Sequence, residues 1–455
     1  FQCRSVLRHA TDADNRRDDS RGRRPAGCHT KIGPFYRQKI NAERGATHKE
    51  KIVRNRKGTN RMDKALAELI RISNETGVDP ALVQGGGGNT SVKTEDGQYM
   101  YIKASGTALK DMNEKEGWRR LRLDLARSVV QDDSLAKMEP QRREPEVVNR
   151  LLLACDDEIR TNARPSVEAH LHAWLDKCVI HLHPSAAGAY HSSKNGRAKL
   201  EKLFKDENTP PLWVPYTDPG YMLARRIAQM VERYRRQFGQ SPAILFLHKH
   251  GLFITAKSAD AALRLVRRVI KCCNGPLRQS KTGIAKSVSQ QEIGDMKLCI
   301  EHAYFEAIGE RTTIWYYYSD PITDFLRQKD AKKMLSGSLT PDELVYANGP
   351  AMWVEMPRSG RALEGTYRSI AKRLRRQIER GRKPSAAFLV RGVGLFVAGT
   401  QKIAPTVRDI VLYSIFIRTN AHRMGGILTL NKRQEDFINN WESEAFRKKL
   451  VSKKK

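Results

Sequence analysis

The sequence predicts a layered α/β fold, because helix-like and strand-like patterns alternate along the chain from residue 62 onward. Short apolar runs such as VIHLH at 179–183 are typical of buried strands. Segments with an apolar residue every three or four positions, such as MDKALAELIRISNETG at 62–77, favour amphipathic helices. Turns rich in glycine and proline separate the two kinds of segment, so we expect strands and helices to follow one another in layers.

The first predicted helix, at 62–75, leads into a glycine-rich loop at 85–91. YMYIKASGT at 99–107 predicts a strand that ends in a Ser-Gly turn. Residues 167–175 predict a short helix, and the VIHLH strand follows it directly. The first half of the domain therefore brings a glycine loop, a serine turn and a short helix close to one strand.

The second half of this domain continues the alternation. A Pro-Gly turn at 219–220 precedes a helix, and SPAILFLHKHGLFIT at 241–255 predicts two strands around a tight glycine turn. An amphipathic helix at 258–273 and a long helix at 290–309 follow. We expect the domain to end near residue 320, and we assign it residues 62–325.

A later stretch repeats part of this pattern. PAILFLHKHGLFITAKSADAALR at 242–264 and PSAAFLVRGVGLFVAGTQKIAPTVRD at 384–409 share the order strand, glycine turn, Leu-Phe and helix. Aligning the Gly-Leu-Phe units places Val393 opposite His250, so the second copy lacks that histidine. We expect residues 326–455 to form a smaller α/β domain that is a degenerate second copy, unless two common supersecondary units match by chance.

Charge is concentrated at the start of the chain. The formal net charge is +32, and residues 1–61 hold 17 Lys and Arg against 6 Asp and Glu. This segment lacks apolar periodicity and contains no Met, so we expect it to be disordered or to come from translation upstream of Met62. Basic helix faces elsewhere are usually solvated, so nucleic acid is not an expected partner.

Features of the whole sequence favour a cytoplasmic protein. No run of 18 apolar residues and no signal-like segment is present. The seven cysteines show no repeated spacing, which argues against a disulfide framework. We therefore expect no membrane partner.

Two histidines lie two positions apart in the VIHLH strand. Side chains alternate between the faces of a strand, so His181 and His183 share one face. That geometry suits two of the three protein ligands of an open catalytic metal site, although two core histidines with ordinary hydrogen bonds would give the same pattern. His250, beside the glycine that permits a tight turn, offers a third ligand, with His248 as its competitor.

A carboxylate accompanies the histidines. Glu168 lies near the start of the short helix before VIHLH, where the short connection keeps it close to the imidazoles. Three histidines with an adjacent Glu fit a catalytic metal that keeps positions open for substrate, with the Glu as base. His170 and His172 point to different faces of this helix, so we interpret them as structural.

The GGGGNTSVK stretch predicts an anion site. Consecutive glycines let backbone N–H groups converge on a phosphate, and Asn89 and Ser91 add side-chain donors. Ser105, Gly106 and Ser166 extend the set of donors. Many glycine-rich loops are only flexible turns, so the prediction depends on the histidines and the carboxylate in the same domain.

Six short motifs occur in one order along residues 62–275: GGGGNTSVK, KASGTAL, PSVEAHLHA, VIHLH, VPYTDPGYMLA and HKHGLFI. In this combination the sequence resembles the class II aldolase and adducin head-domain family. LTPDELVYANGP and FLVRGVGLFVAG further resemble the C-terminal part of the aldolase portion of rhamnulose-phosphate aldolase/alcohol dehydrogenase fusions. Those fusions continue into a short-chain dehydrogenase domain. No such domain follows here, so we do not expect the reductase activity.

The resemblance implies a three-layer α/β/α domain, a homotetramer in many members, and a divalent metal that is usually zinc. It places the metal ligands at His181, His183 and His250 and the acid/base carboxylate at Glu168. Val167 stands where sugar aldolases often carry a second serine, which leaves the substrate open. The phosphate-binding positions that the resemblance implies are Gly88, Asn89, Ser91, Ser105, Gly106 and Ser166.

The implied reaction is reversible aldol cleavage of a phosphorylated ketose through a metal-stabilised enediolate, with Glu168 moving the proton. No Schiff-base lysine is required, and we interpret Lys103 as a phosphate or surface residue. Sugar-phosphate epimerases and dehydratases of the family share the metal triad and remain alternatives. A non-catalytic, adducin-like scaffold is a further alternative, which the presence of all three histidines disfavours.

Overall fold

The computed structural model describes residues 62–157, 163–285, 288–356 and 360–441, so the segment expected at 1–61 lies outside the described residues. The strands are β1 (Asn89–Lys93), β2 (Tyr99–Lys103), β3 (Trp118–Arg122), β4 (Cys178–Leu182), β5 (Leu212–Val214), β6 (Ile244–Leu247), β7 (Leu252–Ala256), β8 (Ile314–Tyr317), β9 (Met352–Val354), β10 (Ala387–Val390) and β11 (Gly394–Ala398).

Helices connect these strands and cover them. They are α1 (Lys64–Gly77), α2 (Leu123–Gln131), α3 (Asp133–Ala136), α4 (Pro140–Leu153), α5 (Ala169–His172), α6 (Ser185–His191), α7 (Gly196–Leu203), α8 (Tyr221–Phe238), α9 (Ala259–Asn274), α10 (Gln290–Ile308), α11 (Asp320–Leu326), α12 (Ala331–Met334), α13 (Pro341–Ala347), α14 (Gly360–Glu379), α15 (Ala404–Arg423) and α16 (Lys432–Asn440).

The first sheet has seven strands in the order β3-β2-β1-β4-β7-β6-β5. Its neighbours pair antiparallel, except that β5 and β6 are parallel. Ile180 and Leu182 pack on one face against α1, α6 and α9, whereas Val179 packs on the other face with α8. Helices therefore cover both faces, and the expected three-layer α/β/α arrangement and the side-chain alternation along β4 are confirmed.

The second sheet has four strands in the order β8-β11-β10-β9. The pairs β10/β11 and β8/β11 are antiparallel and β9/β10 is parallel, which reproduces the pairing of β4, β7, β6 and β5 in the first sheet. The expected second α/β unit is thus present, and the repetition extends beyond the 242–264 stretch to four of the seven strands of the first sheet.

The boundary expected at residue 325 stays a prediction. The strand β8 and the helix α10 precede this position, yet β8 pairs with β11 and α10 packs in a core with β9, β10 and β11. The described residues from Met62 to Trp441 form one compact unit. We therefore use the term C-terminal half for residues 288–441, the described part that surrounds the second sheet.

The glycine-rich loop is shorter than the sequence predicts. It ends at Gly88, and Asn89 and Ser91 lie in β1, which is buried between β2 and β4. The backbone of this stretch completes the centre of the sheet, so the strand begins directly after the glycines. Among the described residues, no helix is long and apolar enough to cross a membrane.

Candidate metal centre

Three histidines meet at the end of β4. His181 lies in register with Phe253 of β7 and stacks on its ring, with 4.0 Å between ring centroids. His183 follows the strand, and its backbone N–H donates to Leu82 O at 3.0 Å. The third histidine, His250, lies in the turn between β6 and β7. The ligand nitrogens of the three histidines all lie within 4.8 Å of one another.

The turn that carries His250 is unusual in its backbone. Lys249 has φ of 58°, a left-handed conformation that is uncommon for a residue with a side chain. Gly251 is required for a different reason: a Cβ atom there would lie 2.6 Å from Leu182 O and 2.7 Å from His183 Cδ2. The glycine thus lets the turn pack directly against the histidines, and Lys249 rather than Gly251 adopts the left-handed conformation.

Hydrogen bonds fix how two of the imidazoles present their nitrogens. His181 Nδ1 lies 3.1 Å from Leu252 O, and His183 Nδ1 is hydrogen bonded to the carboxylate of Asp342. Both partners accept, so both Nδ1 atoms carry the proton and both Nε2 atoms present a lone pair. These two Nε2 atoms are 3.1 Å apart. Burial also lowers the pKa of His181 well below its ordinary value, which keeps the ring neutral.

Glu168 faces two of these histidines. Its Oε2 lies 3.6 Å from His181 Nε2, and its Oε1 lies 3.8 Å from His250 Nε2. Asn89 Nδ2 donates to Oε2 at 2.6 Å, whereas the buried Oε1 has no hydrogen-bond partner among the described residues. Burial raises the pKa of Glu168, but the attraction of the neighbouring imidazoles whenever they are protonated, together with the Asn89 amide, lowers it by more, so its pKa lies below the ordinary value. The carboxylate is therefore ionised at neutral pH.

These residues fit a divalent metal ion. Neutral imidazole nitrogens with lone pairs are common ligands of zinc, and catalytic zinc sites use three protein ligands and leave a further position for water or substrate. Glu168 Oε1, which has no hydrogen-bond partner in the described part of the chain, adds negative charge beside the same nitrogens. His181, His183 and His250 would hold the ion, with Glu168 beside it.

The other histidines of this region lie outside the group. His248 packs beside Trp213, with 5.6 Å between ring centroids. His172 Nδ1 is 2.8 Å from Ser91 Oγ. His170 is fully buried, and neither of its ring nitrogens has a hydrogen-bond partner among the described residues. Each of them packs within the protein rather than joining the three nitrogens.

The residues of the GGGGNTSVK stretch do not all lie at the histidine site. Gly88 has φ of 63°, and a Cβ atom there would lie 2.7 Å from His181 O. The Asn89 amide bonds Glu168, as described above. The hydroxyl of Ser91 is fully buried against His172. The structure therefore brings Gly88 and Asn89 to the histidine site and directs Ser91 to the packing of α5.

The serine turns after β2 and before α5 meet each other. Ser105 Oγ donates to Pro165 O at 3.1 Å, and Ser166 N donates to Lys103 O at 2.9 Å. Ser166 Oγ also accepts from the Glu168 backbone N–H at 3.3 Å. Gly106, with φ of 82°, completes the turn. The two turns therefore lie together, next to the backbone of Glu168.

Asp342 is a residue of the site that the sequence does not predict. It lies in the first turn of α13, is only 2% exposed, and bonds a histidine 159 positions earlier in the chain. The LTPDELVYANGP motif that contains it carries no local metal-ligand pattern. No spacing rule could therefore have connected it with VIHLH.

The second sheet lacks an equivalent histidine set. Phe396 pairs with Tyr316 as Phe253 pairs with His181, so Tyr316 occupies the position of His181. By the same register, Tyr318 corresponds to His183 and Val393 to His250. The Tyr316 hydroxyl donates to Val393 O at 3.0 Å. The second copy has kept its packing with aromatic and aliphatic residues at the three positions.

Comparisons with known proteins give relatives for most of the chain. An uncharacterized oxidoreductase of Bacillus subtilis (strain 168), YuxG, is 24% identical over 314 residues, which are 65% of this chain and 43% of that relative. The N-terminal class II aldolase domain of a conserved Thermoplasma acidophilum protein is 27% identical, with a TM-score of 0.39, and covers 48% of this chain and 97% of its own. An L-fuculose-1-phosphate aldolase from Thermus thermophilus is 17% identical, with a TM-score of 0.28, and covers 46% of this chain and 92% of its own.

A family model matches the part of the chain that forms the first sheet and the histidine site. The model describes the class II aldolase and adducin N-terminal domain, and the match covers residues 67–275. This range contains Glu168 and the three histidines. Residues 67–275 of this chain therefore belong to the class II aldolase and adducin N-terminal domain family.

Proposed function

We propose that this protein is a metal-dependent lyase that reversibly cleaves a phosphorylated ketose by an aldol reaction. The observation that carries the proposal is the convergence of His181, His183, His250 and Glu168 in one buried site of a domain of this family. We propose zinc as the metal because three imidazole nitrogens suit it. A homo-oligomer in the cytoplasm is part of the same proposal.

The chemistry requires one proton to move from oxygen to carbon. A divalent ion, when bound, supplies electrophilic stabilisation of the negative charge that develops as the C–C bond breaks. Glu168 is ionised and takes the proton of the hydroxyl that becomes the aldehyde. The electron pair of the broken bond stays on the carbon next to the ketone, and Glu168 returns the proton to that carbon. Asn89 holds Oε2 in place, which leaves Oε1 for the transfer.

We assign the phosphate end of the substrate to the residues around Glu168. Gly88 and Asn89 border the histidines, and the Ser105, Gly106 and Ser166 turns lie next to the same carboxylate. The backbone N–H groups of Gly88 and Gly106 and the Ser166 hydroxyl are donors of the kind that bind phosphate without a buried cation. Ser91, which bonds His172, contributes to this proposal only by holding α5 in position.

The proposal is tested by metal content and cleavage in three proteins: the wild type, His181→Ala and Glu168→Gln. Each is prepared with metal present and incubated with a panel of 2-ketose 1-phosphates, and the released aldehyde is measured. We expect about one divalent ion per chain in the wild type and in Glu168→Gln, less in His181→Ala, and cleavage in the wild type alone.

Two results would contradict the lyase. If the wild-type protein binds no metal when metal is plentiful, the proposed catalytic site is ruled out and the non-catalytic, adducin-like scaffold is favoured. A wild-type protein that binds metal and converts a sugar phosphate to its epimer or dehydration product, without aldehyde release, would favour the alternative reactions of the family.

A further inference from the structure

We infer that Asp342 is a positioning residue for the metal centre, and that through it the C-terminal half completes a site whose ligands all lie in the first domain. This inference rests on the proposed metal site, although it does not depend on which reaction occurs there. It gives the C-terminal half a role in the site even though that half lacks a histidine set of its own.

The contact between Asp342 and His183 is direct and buried. His183 Nδ1–H donates to Asp342 Oδ2, and the two side chains are only 7% and 2% exposed. A carboxylate on the far nitrogen of a metal-binding imidazole fixes its tautomer and ring orientation and makes it a better ligand. The comparable partner of His181 is Leu252 O, in its own sheet. One ligand is therefore oriented from within the first sheet and another from the C-terminal half.

Asp342 is held rigidly by the elements around it. The Thr340 hydroxyl caps the start of α13 by accepting from Glu343 N–H at 3.4 Å. Glu343, the next residue after Asp342, forms an ion pair of 2.9 Å with the fully buried Arg418. Arg418 also donates to Gly337 O at 2.8 Å. The first turn of α13 is thus fixed by a buried network, which leaves the Asp342 carboxylate little freedom to move.

The glycine loop makes the contact possible. A Cβ atom at Gly87 would lie 3.0 Å from Asp342 Oδ2 and 3.2 Å from His183 Nδ1. Tyr346 lies one helical turn after Asp342 in α13. A Cβ atom at Gly86 would lie 3.1 Å from the Tyr346 hydroxyl. Both side chains lie on the face of α13 that packs against the loop. Because Gly86 and Gly87 have no side chains, α13 of the C-terminal half can pack close to the histidines. This role is separate from any role of the glycines in binding phosphate.

A second contact holds the turn that carries His250. The side chain of Lys249 reaches into the C-terminal half, where its Nζ donates to Thr429 O at 2.7 Å. A left-handed residue of this kind persists only where its surroundings hold it. Two of the three proposed ligands are thus supported by residues more than 150 positions away in the sequence.

The experiment compares metal affinity in the full chain for wild type, Asp342→Ala and Asp342→Asn. Asp324→Asn is the matched control, because Asp324 is a buried carboxylate of the C-terminal half that bonds Arg278 rather than a histidine. The dissociation constant for Zn²⁺ is measured by competition with a chromophoric chelator. The visible spectrum of the Co²⁺-loaded protein reports the ligand arrangement.

We expect Asp342→Ala to weaken Zn²⁺ binding about 10–100-fold, with Asp342→Asn in between because it keeps an acceptor but loses the charge. The Co²⁺ spectrum should change in both variants and stay unchanged in Asp324→Asn. If Asp342→Ala does not fold, Asp342→Asn alone still tests the expectation.

The outcomes separate this inference from the proposed function. If the wild type binds no metal, both fail. If the wild type binds metal and the Asp342 variants bind it within twofold, with an unchanged Co²⁺ spectrum, only the role of Asp342 is overturned. An equal loss of affinity in Asp324→Asn would also overturn it, because the effect would then come from general destabilisation.

Discussion

A methyl group at position 251 is expected to displace the metal-binding histidines. In Gly251→Ala the new Cβ would lie 2.7 Å from His183 Cδ2 and 2.8 Å from His181 Cε1. Carbon atoms in contact prefer roughly 3.5–4.0 Å, so each ring, or the turn itself, must move by about 0.7 Å or more. Functional groups need to hold their positions within about 0.5 Å. The substitution therefore exceeds the tolerance of the site.

We expect Gly251→Ala to weaken Zn²⁺ binding about 10–100-fold, the range found when a ligand loses its orientation. The free energy of unfolding of the metal-free protein should fall by about 1–3 kcal/mol from overpacking. Chelator competition measures the first quantity and urea unfolding the second.

Gly294→Ala is the control, because a Cβ atom at this position in α10 has no neighbour within 4 Å. It should leave metal affinity unchanged and stabilise the protein by about 0.5–1 kcal/mol, as alanine does relative to glycine inside a helix. Wild-type Zn²⁺ affinity in Gly251→Ala would refute the close packing between the turn and the histidines.

Two further predictions concern stability. Burial lowers the pKa of His170 to about 4 and that of His172 to about 3, so near pH 5 the unfolded chain binds protons that the folded chain does not. Stability therefore falls as pH decreases below about 6.5. His170→Phe should reduce that dependence by about 1.2 kcal/mol between pH 6 and pH 5, measured by urea unfolding at pH 6, 5.5 and 5. An unchanged pH dependence would contradict a neutral buried ring. Arg418→Met leaves the Glu343 carboxylate buried without its cation, so the free energy of unfolding should fall by about 3–5 kcal/mol. A loss below about 1 kcal/mol would show that this ion pair does not hold α13 in place.

Much of the first domain follows from local patterns. The alternation of VIHLH sets the faces of β4, and the apolar runs around the HKHG turn set β6 and β7, because a strand repeats every two residues. His250 could be connected with the histidine pair only through its place beside a turn glycine and through the family resemblance, and the structure then shows that β4 and β7 are neighbours in the sheet. Periodicity therefore predicts the scaffold and the histidine pair, whereas the third proposed ligand depends on the turn and on the resemblance.

The parts that could not be predicted depend on contacts between distant segments. Asp342 reaches His183 across 159 positions, and no local pattern encodes that meeting. The composition of the GGGGNTSVK stretch predicts a loop, but its second half pairs on both sides and forms β1. The pairing of Ser91 with His172 follows from that strand and could not be read from the loop pattern.

The left-handed turn residue is a further case. A glycine at 251 suggests that the glycine itself supplies the unusual backbone conformation, since glycine adopts it without cost. Instead Lys249 adopts it, and its side chain is held by Thr429 O in the C-terminal half. The sequence alone contains no signal for this, because the stabilising contact comes from the tertiary structure.

Proton transfer at carbon is the step that tests the lyase most directly, and it can be measured without knowing which aldehyde the enzyme takes. Aldol cleavage of any 2-ketose 1-phosphate breaks the bond between C3 and C4 and leaves dihydroxyacetone phosphate. Its hydroxymethyl carbon, the former C3, receives the proton from Glu168. Incubation of metal-loaded protein with dihydroxyacetone phosphate in D₂O should therefore exchange one hydrogen at that carbon, as read by NMR. We predict exchange by the wild type and none above background by Glu168→Gln with equal metal content. No exchange by the metal-loaded wild type, or equal exchange by Glu168→Gln, would contradict the assignment of this site as an aldol lyase centre for 2-ketose 1-phosphates.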